Sequence, residues 1–95
     1  SVQGNLTNGA LIFLSGSTIV KYAITNGTVQ TTPSTIAVTE DGVAVDAGTS
    51  PRVIAQADGK YWIMGRSIYP KLVSSTGKVE LTLDSDVLNG IIDGN

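Results

Sequence analysis

The chain contains no histidine and no cysteine. Without an imidazole there is no Ser-His-Asp triad, without a thiol no Cys-His nucleophile, and without either no His or Cys zinc site. A disulfide framework is excluded as well, so the fold rests on packing or on association between copies, and the redox compartment leaves no trace in the sequence. Charge is scarce at 15% of residues, with six basic and eight acidic side chains and a net charge of −2. Phosphate neutralisation needs a basic surface, so nucleic acid is an unexpected partner. The longer apolar runs, such as residues 10–14 and 61–64, fall far short of the roughly 20 residues of a membrane-spanning helix. No basic and apolar leader follows Ser1, so the start reads as a processed end or a fragment boundary.

Apolar residues make up 41% of the 95 positions. That is ample for a core, outside the regime of disorder, and of a size that suits one domain spanning residues 1–95. Thr, Ser, Asn and Gly replace Lys and Glu as the surface material, a balance more common in secreted, cell-surface and virion proteins than in cytosolic enzymes.

Short β-type runs recur with turn residues between them. Residues 9–14 lead into Ser15-Gly16-Ser17, and residues 18–24 into Asn26-Gly27. Asn-Gly between apolar runs is a strong hairpin signal, because both residues tolerate the positive φ of a type I′ turn. Glu40-Asp41-Gly42, Asp58-Gly59 and Ser75-Thr76-Gly77 mark further turns, while Pro70 makes residues 66–74 an irregular or edge strand. Alternation supports strands: Lys78, Glu80 and Thr82 fall on one side, Val79, Leu81 and Leu83 on the other. These signals predict an all-β fold, a small antiparallel β-sandwich or barrel of about six to eight short strands. At most one short C-terminal helix is expected, over residues 85–89, capped by Asp84 or Ser85 and ended by Gly90. A shift of fifty positions aligns residues 9–38 with 59–88, including Lys21 with Lys71 and Gly27 with Gly77; a true duplication would mean two similar meanders, but strand-turn-strand units rich in Gly, Thr and Val also resemble one another by chance.

Carboxylate pairs are the remaining route to acid-base chemistry. Glu40 and Asp41 head a turn, where acidic residues serve the backbone. Asp84 and Asp86 begin like a calcium loop, but Leu88 stands at a ligand position and no Glu closes it. No phosphate-binding glycine loop is present. The reading is therefore no enzyme, no catalytic residue, no metal and no cofactor. Two sequons, at Asn5 and Asn26, would accept glycans only in a eukaryotic secretory pathway.

The candidate interaction residues are Tyr61, Trp62, Arg66 and Tyr69, where aromatics stand among basic side chains, together with Ile91 and Ile92 near the end. Core or subunit-interface packing is the stronger reading for Tyr61 and Trp62, which alternation puts on opposite faces, over a small-ligand or nucleic-acid site, and the isoleucine pair docks on the domain's own core or on a neighbouring subunit. Five basic residues from Arg52 to Lys78 face Asp58 alone, and four acids follow from Glu80 to Asp93. Such asymmetry suits contacts between copies, and equally suits solvated faces of opposite sign in a monomer.

In passages such as Tyr22-Ala-Ile-Thr-Asn-Gly-Thr-Val29 and Thr35-Ile-Ala-Val-Thr-Glu-Asp-Gly-Val43, the strand-turn style resembles small β-rich phage and virus accessory proteins: capsid decoration, head-fibre or tail modules. The resemblance implies a non-catalytic structural protein, located in a virion or at a cell surface, whose partners are further copies of itself or a larger capsid or tail. The alternative is a monomeric module, carbohydrate-binding or OB-like and oligonucleotide-binding, that uses Tyr61, Trp62 and Tyr69.

Overall fold

A computed structural model of the chain describes residues 1–84. The expected helix at 85–89 and the pair Ile91 and Ile92 lie outside the described residues. Among the described residues the protein is all-β, with antiparallel strands in three sheets, none closed into a barrel. Among the described residues eleven strands replace the six to eight expected, because two-residue pairings such as β4 (Thr28–Val29), β6 (Thr39–Glu40) and β7 (Val43–Ala44) are too short to leave a periodic signal.

The first sheet runs β1 (Val2–Gly4), β2 (Gly9–Ser15), β3 (Thr18–Thr25) and β4. The other end of β3 pairs with β5 (Ser34–Ala37). A four-stranded sheet follows, formed by β8 (Arg52–Ala55), β9 (Tyr61–Gly65), β10 (Ile68–Val73) and β11 (Val79–Thr82). Both meanders have the same strand order, and their second hairpins close at Ser15↔Thr18 and Gly65↔Ile68, fifty positions apart.

Turn chemistry sets these registers. Asn26 and Gly27 have φ of 51° and 78°, and Asp41 and Gly42 have 52° and 80°, the left-handed pairs that a type I′ hairpin requires. The hairpins at Gly59 and Gly77 are three-residue loops instead. In each the glycine N–H donates back three residues, to Gln56 O (3.2 Å) and Ser74 O (3.0 Å), and the glycine alone has positive φ. Pro70 does not end up on an edge: β10 lies between β9 and β11. A register irregularity between Ile68 and Lys71 admits the proline there without costing a ladder donor.

Inward residues of the two large sheets share one core. Ile12, Leu14 and Ile19 from the first meet Val53, Tyr61, Ile63 and Val73 from the second, with Val38, Val45 and Ala47 from the connection. Each fully buried aliphatic side chain contributes about 1.5–3 kcal/mol. The chain crosses between sheets at Val38, whose N–H donates to Ser17 O (2.8 Å), while the next N–H, of Thr39, donates to Gly77 O (2.8 Å). Ser1 adds a second tie, its carbonyl accepting from Ile12 N (2.9 Å) and its hydroxyl donating to Val53 O (2.6 Å).

Candidate interaction surface

Alternation along β2 sends Ala10, Ile12 and Leu14 to the core and Leu11 and Phe13 to the opposite face. On β3, Ile19 points inward and Val20 and Tyr22 outward. Register then assembles the outward set: Val2 pairs with Leu11, Leu11 with Tyr22, and Phe13 with Val20. Phe13 and Tyr22 are diagonal neighbours with ring centroids 6.0 Å apart and planes 15° from parallel, an offset-stacked geometry. Val2 and Phe13 are 47% and 46% exposed, and Leu11, Val20 and Tyr22 are half-buried. A sheet face that would ordinarily carry polar side chains is thus apolar, uncharged and open at its centre. Beside Phe13 a hollow of about 290 Å³ extends the surface to Pro51, the charged Arg52 and Ile54.

The residues singled out from the sequence are placed differently. Tyr61 is 4% exposed and belongs to the core. Trp62 faces the other side of β9, half-buried in a cross-strand row with Ile54, Leu72 and Leu81. Its indole N–H donates to the Gln56 amide oxygen, in the orientation that lets the Gln56 nitrogen donate to Asp58 Oδ1 (3.2 Å). Arg66 is exposed in the β9–β10 turn and Tyr69 is 50% exposed; the two line a shallow hollow of about 320 Å³. The structure therefore brings Arg66 and Tyr69 together and separates them from the buried Tyr61. Phe13 and Tyr22 were missed, although apolar residues at both parities of β2 and β3 signal strands with two apolar faces.

A second feature lies on the inner side of the first sheet. A cleft of about 480 Å³ is lined by Lys21, Thr32, Ser34 and Gln3 over a floor of small residues. Lys21 Nζ donates to the Tyr61 hydroxyl (3.0 Å) and sits 5.5 Å from the centre of that ring.

Of the carboxylates considered from the sequence, Glu40 is ion-paired with Lys71 at 2.9 Å, and Asp41 holds the left-handed position of its turn. Among the described residues no three His, Cys, Asp or Glu side chains are grouped to hold a metal. No helix among these residues is long and apolar enough to cross a membrane. Comparison with protein-family models, curated proteins and solved structures finds no match.

Proposed function

We propose that the protein is a non-catalytic interaction module, a small sandwich of two meanders that works in many copies in a repeated assembly such as a virion. A second copy of this chain is the occupant we assign to the outer face of the first sheet. The observation that carries this reading is the stacked Phe13–Tyr22 pair at the centre of an uncharged apolar face. Aromatic side chains at the centre of a patch are the residues that dominate binding energy in protein interfaces.

Size favours a lattice over an isolated tight dimer. The seven residues of β2 span roughly 23 Å and four strands roughly 14 Å, or about 320 Å² in projection. A stable pair buries about 800 Å² on each partner, so the hollow beside Ile54 joins the contact and each contact stays weak. Weak contacts repeated over many copies hold through avidity, which agrees with the resemblance to capsid and tail accessory proteins and with a virion or cell-surface location.

Photo-crosslinking tests the assignment. Benzoylphenylalanine replacing Phe13 yields an adduct with a second copy, or with a subunit of the parent particle, and the same probe replacing the exposed Thr31 yields none. Equal labelling from both positions would overturn it.

A further inference from the structure

We propose that the cleft at Lys21 is a binding site for a small ligand carrying a carboxylate group. Lys21 stands in register between Ile12 on β2 and Ser34 on β5, on the inward face of β3, and Ile12 is among the most buried residues of the protein. An ammonium at the margin of the core, bordering an open cleft, is held in place and can take up a negative charge that a ligand brings. Among the described residues it makes no ion pair; its partners are the neutral Tyr61 hydroxyl and the Tyr61 ring. Lys60 and Lys71, by contrast, each have a carboxylate within 3 Å.

The cleft has room for a small ligand. Gly4 has φ +72°, and a Cβ on Gly9 would collide with the carbonyls of Gln3 and Asn5, so both positions are held to glycine by the tight β1–β2 turn. With Ala10 and Ala23 they keep the floor of the cleft low. The Thr32 and Ser34 hydroxyls and the Gln3 amide line the same cleft and make no side-chain hydrogen bond among the described residues, leaving donors free for an oxygen-rich ligand. Among the described residues no acidic side chain lines it, which argues against a bare cation as the occupant. One positive charge matches the single charge of a carboxylate, whereas a phosphate dianion calls for a second cation that the lining does not supply.

The site lies on the face of β3 opposite Tyr22, so it goes beyond the assembly reading and stands or falls separately. The test is a titration followed by backbone amide chemical shifts, with acetate, glutamate, galacturonate, inorganic phosphate and neutral galactose as probes. Lys21→Met removes the charge and keeps most of the stem. Ala23→Leu keeps the charge and fills the cleft at an exposed position, where the fold tolerates it. The expected result is saturable binding of the carboxylates, with shifts concentrated at Lys21, Ala23 and Ser34, weakened at least about tenfold in both variants. Galacturonate at least about tenfold tighter than acetate assigns an acidic sugar, and glutamate tighter by that margin an acidic amino acid. Three results each overturn the proposal: no saturable shift with any carboxylate, tighter binding of phosphate or galactose, or shifts that persist unchanged in Ala23→Leu.

Discussion

The Lys21 ammonium on β3 donates to the Tyr61 hydroxyl on β9 at 3.0 Å, a polar tie between the two large sheets at the margin of their shared core. Tyr61→Phe keeps the ring and its packing and deletes this bond to a charged donor. Lys21 borders a cleft and regains some water, so the expected loss is about 1–2 kcal/mol. The urea midpoint measures it, and an unchanged midpoint would mean that the bond adds nothing to the joining of the sheets.

Two glycines separate backbone strain from steric collision. Gly27 has φ +78° and open space where a Cβ would stand; Gly77 has φ +98°, and a Cβ there would run into the Ala37 carbonyl. Gly27→Ala is expected to cost about 1 kcal/mol and Gly27→Val about 1–3 kcal/mol, both through φ alone. Gly77→Ala adds displacement of β5 and should exceed Gly27→Ala by about 1 kcal/mol or more. Denaturation midpoints rank the three variants, and equal losses for the two alanine variants would refute the contrast.

The strand-turn pattern was legible because turn residues carry local chemistry. Asn26-Gly27 and Asp41-Gly42 adopt the left-handed pair that their sequences specify. Pro70 pointed to an irregular or edge strand, and the strand is irregular but central, since its place in the sheet is a property of the paired strands and not of the residue itself. Tyr61 and Trp62 drew attention by side-chain type, but only register decides that one enters the core and the other a row with Ile54 and Leu72. The Phe13–Tyr22 stack and the Lys21 cleft stayed hidden for the same reason. Each joins residues from different strands, and a single strand's sequence does not state its partner's register.

Lys60 on the loop side of β9 pairs with Glu80 on β11 at 2.8 Å, both side chains remaining well exposed (39% and 41%). Its hydrogen bond and attraction to Glu80 raise the Lys60 pKa above the ordinary 10.5. A raised folded-state pKa means that the pair's contribution is fully present below the unfolded-state value and is lost as pH climbs through the folded one. The difference in melting temperature between wild type and Glu80→Gln should therefore be small and constant from neutral pH to about 9, then shrink above the usual lysine range. A difference that grows with alkaline pH would contradict this sign.

Assembly through the first sheet's outer face is the central claim, and molar mass against concentration tests it most directly. Light scattering should show the wild-type mass rising with concentration and Phe13→Ser remaining at the mass of one chain. The variant should stay folded and lose about 1–2 kcal/mol of folding stability, because Phe13 lies outside the core and gives up its stack on Tyr22 and its half-buried area. A wild-type protein that stays at a single chain's mass up to millimolar concentration, or a Phe13→Ser variant that associates just as strongly, would contradict the account.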